Sequence, residues 1–386
     1  MLHLAQRLEH TETFHAVEIF KRTLALRNQG HDVISLGIGE PDFTAAPAVV
    51  AALQQASNQG LGRYGPAAGL EPLRAAIAQF YGEQFGAPVD PHRVIVTNGA
   101  SGALLLACLA LINPGQRVLM PDPSYPANSN FIMAAGGVTQ LMTVQAENQF
   151  QPSAADIAQH WGPQTAGVLI ASPSNPTGTC IDQTALSEII AAVRKRQGFV
   201  MVDEIYLGLS YQAQRRSALA LDDNLIILNS FSKYFHMTGW RLGWMIVPQA
   251  LVEPIERLAG SLMICPPTLA QCAALACFEP QTLALFEQRR EAFRTRRDYL
   301  VDALESIGFE VPCRPDGAFY IYADVSRFGR DSQTLVDQLL EQAGVALVPG
   351  VDFGPHHAQT KVRLAYTTGL DRLKEAIKRM DSYLNG

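Results

Sequence analysis

Long apolar stretches are missing from this chain. The longest unbroken one, Ala103 to Ile112, is ten residues, about half of the roughly 20 that a membrane-crossing helix needs. It lies between Gly102 and the turn Asn113-Pro114-Gly115 and reads as a buried helix, so no membrane is expected as a partner. Charge is scarce as well: 17% of residues are Asp, Glu, Lys or Arg, against about 25% on average. The 30 basic residues are outnumbered by 36 acidic ones, for a net charge of −6. An acidic surface repels phosphate backbones and anionic lipid, so nucleic acid is not expected as a partner. The six cysteines (Cys108, Cys180, Cys265, Cys272, Cys277 and Cys313) include no CxxC pair and no zinc-type spacing with histidine, and in apolar surroundings a thiol acts as a small hydrophobe. No metal is expected, and the compartment reads as reducing and cytoplasmic. The opening segment MLHLAQRLEHTETF has neither the basic lead nor the apolar run of an export signal, which agrees with that reading.

What is present is a chain of 386 residues with 48% hydrophobic composition, more than a single core of roughly 250 to 300 residues accommodates. From about residue 90 to 250, short apolar or β-branched runs alternate with helical patterns, as in a sheet covered by helices on both faces. The runs are Arg93 to Thr97, Arg117 to Met120, Thr139 to Thr143, Gly167 to Ala171, Phe199 to Val202, Asn224 to Leu228 and Gly243 to Val247. Helices are expected over Ser101 to Ile112 and Gln183 to Gln197. Five arginines between Arg289 and Arg297 read as a solvated helix face partnered by Glu287 and Glu291. After it the pattern becomes an α+β mixture that opens a second domain. The fold class is therefore α/β: a large domain with a mostly parallel seven-stranded sheet between helices, plus a smaller α+β domain. Ligands of such sheets bind beyond the carboxyl ends of the strands.

The segment Asn229 to Trp244, NSFSKYFHMTGWRLGW, sets Lys233 in a loop after a buried strand and Arg241 farther along. A surface lysine is the plain reading. A serine acyl-transfer enzyme with Ser230 as nucleophile and Lys233 as base needs SDN and KTG motifs, which the chain lacks. A Schiff-base lysine holding pyridoxal 5'-phosphate needs an acid for the pyridine nitrogen, donors to the phenolate oxygen and a basic phosphate cup. Asp203 in FVMVDEIY, Tyr206 beside it, Asn175 in SPSNPTG and Arg241 can supply these.

Taken with GEPDF (Gly39 to Phe43), YGPAAGLEPLR, TNGASGAL, PDPSYP, SNPTG, DEIY, SFSK with TGWRLGW, GAFY and VRLAY in this order, the chain resembles a class I, fold-type I, pyridoxal-phosphate-dependent aminotransferase of the aspartate aminotransferase type over nearly its whole length. The resemblance implies three segments: 1–45, an N-terminal arm and part of the small domain; 46–284, the large cofactor-binding domain; and 285–386, the small C-terminal domain. It implies that Lys233 forms the Schiff base and moves the substrate α-proton, while Asp203 keeps the pyridine nitrogen protonated. Asn175 and Tyr206 would then contact the phenolate oxygen and Tyr125 would stack on the ring. Backbone N–H groups of Ala100 and Ser101, with the Ser101, Ser230 and Arg241 side chains, are implied for the phosphate. For the substrate, Arg363 would grip the α-carboxylate with Gly39 as a second contact, and Asn175 would also lie against it. Tyr64 matches a residue that crosses to the cofactor phosphate of a second subunit, so a homodimer with shared active sites is implied.

The implied reaction is a ping-pong transfer of the amino group of an L-amino acid to a 2-oxo acid, 2-oxoglutarate or pyruvate. A carbon-sulfur β-lyase on the same fold is the alternative, and a cofactor-sensing binding module is a third reading. Cis peptide bonds are expected at Asp122-Pro123 and Asn175-Pro176. His236, His356 and His357 are read as loop histidines without a role. No second pocket arginine is evident, which leans substrate choice toward neutral or broad.

Overall fold

The computed structural model describes residues 3–5, 7–8 and 14–386; residues 1, 2, 6 and 9–13 of the expected N-terminal arm lie outside the described residues. A first helix, His15–Asn28, leads to the two-residue strand β1 (Ile34–Ser35). Seven strands follow: β2 (Val94–Thr97), β3 (Arg117–Asp122), β4 (Val138–Thr143), β5 (Thr165–Ala171), β6 (Phe199–Asp203), β7 (Ile226–Ser230) and β8 (Gly243–Ile246). They form one sheet in the order β2-β8-β7-β6-β5-β3-β4. Strand β8 runs antiparallel to both neighbours, and the other pairings are parallel. Helices cover both faces, so the central strands carry continuous apolar runs: Val168 to Ile170, Val200 to Val202 and Ile226 to Leu228 are each at most 2% exposed.

Two shifts from the expected boundaries matter for the site. Strands β6 and β7 extend to Asp203 and Ser230, so each ends on a polar residue at the sheet edge. The helix expected from Ser101 begins earlier, as Gly99–Leu111, because Gly99 adopts φ +71°, a left-handed backbone that glycine takes without steric cost. Ala100 and Ser101 therefore sit in the first helical turn. Among the described residues no single helix is long and apolar enough to cross a membrane.

The 27-residue helix Pro280–Ser306 runs through the expected division at 284/285. Beyond it lie β9 (Tyr320–Asp324), β10 (Val345–Ala346), β11 (Val348–Pro349) and β12 (Lys361–Ala365). Strands β11, β12 and β9 make an antiparallel sheet, and β10 pairs in parallel with β1, joining the N-terminal segment to the C-terminal module. The arginines of the long helix are not all solvated, contrary to the expectation. Arg296 is 8% exposed, donates to Asp42 at 2.7 Å and lies 5.1 Å from the Phe43 ring, while Arg289 donates to Thr44 O at 2.7 Å. Those two hold the GEPDF loop in place. Both expected cis bonds are present, with a third at Ser172-Pro173.

Candidate active site

Neighbouring parallel strands deliver polar groups to one sheet edge: β6 ends on Asp203, β7 on Ser230, and the loop after β5 carries Asn175. Of the twelve site residues read from the sequence, eleven line a single cavity of about 430 Å³ there. They are Gly39, Ala100, Ser101, Tyr125, Asn175, Asp203, Tyr206, Ser230, Lys233, Arg241 and Arg363. Tyr64 does not line it and stands 83% exposed on the outer surface.

One end of the cavity is built for an anion. The first turn of Gly99–Leu111 presents unbonded N–H groups and the positive end of the helix dipole. Arg241, in a left-handed backbone of φ +53°, donates from Nη1 to Thr238 O at 2.9 Å. A Cβ on Gly99 would fall 2.8 Å from Arg241 Nη2, and one on Gly243 would fall 2.8 Å from Ala100 N. The guanidinium and the helix start can lie this close only because both residues lack a side chain. Ser230 Oγ lies 2.9 Å from Ser232 Oγ and accepts from Ser232 N–H at 3.0 Å, adding hydroxyls to the same end.

Lys233 and Asp203 lie deeper. Lys233 Nζ donates to Gly39 O at 2.6 Å. Burial pushes its ammonium down to about 8, helped by Arg363 and Arg241 and opposed by Glu40 and Asp203. Burial also pushes the Asp203 carboxyl up to about 6, with the Ile205 N–H at 3.0 Å and the Lys233 charge pulling back only in part. A buried carboxylate held in this state favours a protonated ring nitrogen against it, which restores its charged form. Acid, amine and phosphate cradle in one cavity therefore fit pyridoxal phosphate.

The opposite wall holds Arg363 of β12, 5% exposed. Its Nη1 donates to Asn175 Oδ1 at 2.9 Å and its Nη2 to Gly37 O at 2.6 Å. The guanidinium lies 4.5 Å from the Tyr320 ring centre and 4.9 Å from that of Phe353. Its buried Nε has no hydrogen-bond partner among the described residues, and N–H directions remain for a carboxylate. Because Asn175 Oδ1 accepts from Arg363, its Nδ2 is left to donate into the cavity.

The chain matches the model of the family "Aminotransferase class I and II" over residues 31–380. It is 36% identical over 373 residues to the valine–pyruvate aminotransferase of Mycobacterium tuberculosis, covering 96% of each chain. To the aspartate/prephenate aminotransferase of Thermus thermophilus it is 33% identical over 379 residues, covering 97% of each. The crystal structure of an aminotransferase from M. tuberculosis superposes with a TM-score of 0.95 at 36% identity, covering 100% of this chain and 99% of that one. The aspartate aminotransferase from T. thermophilus with maleate gives 0.94 at 32% identity, with 100% of both chains covered. The chain belongs to the class I and II aminotransferases. It is a pyridoxal-phosphate-dependent transaminase of the aspartate aminotransferase fold.

In this aminotransferase several site residues escape the sequence reading. Tyr320, whose hydroxyl lies 2.8 Å from that of Tyr206, sat unassigned within GAFY, as did Ser232 within SFSK and Glu40 within GEPDF. Asp352 and Phe353 line the cavity with no local motif to mark them. Gly39, expected as a second contact for the α-carboxylate, also presents its carbonyl to Lys233 Nζ at 2.6 Å. His236 lies in a loop, as read from the sequence, but a buried one: it is 3% exposed, with its ring 5.4 Å from Phe43 and 5.8 Å from Phe286. Burial pushes its imidazolium down to about 3. Under Asp203, the buried Glu204 is pushed up to about 7 by burial and accepts from Ala218 N–H at 2.7 Å and Ser217 Oγ at 2.9 Å, tying the end of β6 to the loop that follows.

Proposed function

We propose that this aminotransferase moves the amino group of an L-amino acid to a 2-oxo acid in two half-reactions at this single site, and that it works as a homodimer in which Tyr64 reaches a neighbouring active site. Pyridoxal phosphate, when bound, supplies the electron sink that makes the substrate Cα–H acidic and carries the nitrogen between donor and acceptor. Lys233, Asp203, Arg241 and the Ala100–Ser101 helix start would hold it, with Asn175, Tyr206 and Tyr125 around its ring. Arg363 binds the α-carboxylate in a bidentate fork, which fixes Cα in one orientation. Lys233 Nζ, less basic than a solvated lysine, takes the proton from that Cα. The supporting observation is the convergence of Lys233, Asp203 and Arg363 on one cavity.

Purified protein is expected to be yellow and to lose that colour on adding a donor amino acid. Lys233→Ala is expected to abolish borohydride-fixed cofactor, read by mass spectrometry, and to lower turnover by at least about 10⁴-fold. A colourless protein of full activity would sink the reading. Release of an oxo acid with no amino acceptor present would favour the β-lyase alternative instead.

A further inference from the structure

The first helix gives the cavity an apolar wall. On His15–Asn28, Ile19 and Thr23 are buried at 3% and 0% exposure, whereas Val17 and Phe20 line the cavity together with Phe14 just before the helix. Val17 is 41% exposed and Phe20 37%, so this helix carries a second apolar face, open to the cavity rather than packed on protein. Its position is fixed from the far end of the sequence: the N–H groups of His15 and Ala16 donate to the Asp352 carboxylate at 2.7 and 2.8 Å. Asp352 adjoins Phe353, whose ring centre lies 4.9 Å from the Arg363 guanidinium. The wall is thereby tied to the group that grips the α-carboxylate.

Charge around the cavity points the same way. Among the described residues lining it, the cations are Lys233, Arg241 and Arg363, and the anions are Glu40, Asp203 and Asp352. Lys233 and Arg241 would hold the cofactor, and Arg363 the α-carboxylate. A second carboxylate on the substrate would meet apolar side chains and Glu40, with no further cation among the described lining residues of the same subunit to pair it, and an unpaired desolvated charge is strongly disfavoured.

We infer that the site selects monocarboxylic substrates with apolar side chains, with Val17 and Phe20 setting that choice: an aliphatic or aromatic L-amino acid as donor, and pyruvate or a similar 2-oxo acid rather than 2-oxoglutarate as acceptor. The inference rests on the proposed two-half-reaction chemistry at the same site. The donor leaves as its 2-oxo acid and the acceptor leaves as an amino acid, so amino group, hydrogen and carbonyl oxygen are exchanged and no outside oxidant or reductant is needed.

Mixing the cofactor-loaded enzyme with one amino acid at a time, and following the cofactor absorbance, reads the donor half-reaction alone. Leucine and phenylalanine are expected to convert it about a hundredfold more efficiently than aspartate and glutamate. Pyruvate is expected to reverse the change more efficiently than 2-oxoglutarate. Equal or better conversion by the acidic amino acids overturns the inference and leaves the aminotransferase reading standing. No spectral change with any amino acid overturns that reading and this inference with it. Binding can be compared without turnover: 4-methylpentanoate is expected to raise the melting temperature of the loaded enzyme more than glutarate does, and the opposite order overturns the inference. Val17→Lys is expected to lower the leucine-to-aspartate preference about tenfold; an unchanged ratio removes Val17 from the specificity assignment.

Discussion

The two sides of the cavity are built in different ways. The cofactor side comes from the ends of β6 and β7 and the helix start at Gly99, elements joined by backbone pairing within one sheet. The substrate side comes from contacts between distant parts of the chain: Arg363 donates to Gly37 O, His15 N–H to Asp352, and β1 pairs with β10. The first side is held by hydrogen bonds that any sheet of this type makes. The second exists only after the chain ends have met, and its tuning of substrate choice is separable from the chemistry at Lys233.

The largest test of that contrast is Arg363→Lys. A lysine keeps the charge but loses the fork and the ring contacts, so KM for the amino acid is expected to rise about a hundredfold while cofactor affinity holds, read by steady-state kinetics and cofactor titration. An unchanged KM would place the carboxylate grip elsewhere.

His236 probes the seam between the two sides, since it follows Lys233 yet packs on Phe43. The unfolded chain binds a proton at this residue near the ordinary imidazole value of 6.5, and the folded chain only near 3, so His236 costs stability progressively as pH falls below 6.5. His236→Leu is expected to raise unfolding free energy by about 1 kcal/mol at pH 7.5, by relieving a buried polar ring, and by more at pH 5. Denaturant melts at both pH values would show it, and a gain that does not grow on acidification would refute the protonation account.

Tyr320→Phe removes the hydroxyl that meets Tyr206. A lost hydrogen bond of about 1 kcal/mol corresponds to roughly a fivefold slower donor half-reaction, which stopped-flow absorbance can resolve. Smallest of all, Glu40→Gln removes a charge that favours the ammonium form of Lys233. In the cofactor-free protein the lysine should then deprotonate below about 8, moving the acid limb of its reaction with added pyridoxal phosphate to lower pH by less than about one unit. A shift upward would mean that the limb belongs to another group.

The same contrast explains what the sequence made legible. The seven strands of the large sheet were readable because both faces are covered and their runs are uninterrupted, and each end moved by at most two residues. Lys233, Asp203 and Asn175 were readable because each sits in a short motif at a strand end. Asp352 and Phe353 were not, since nothing local distinguishes them; their meaning comes from residues 14 to 20 arriving beside them. Arg296 misled the reading for a similar reason: its neighbours in sequence are solvated, and its partner Asp42 is far away along the chain.

Arg363 touches Asn175 from the sheet domain, Gly37 from the N-terminal segment and Tyr320 from the C-terminal module. A nascent chain that has not yet reached Arg363 has the residues of the phosphate cradle but not the carboxylate grip. During refolding, the regain of activity should therefore trail the regain of helical signal.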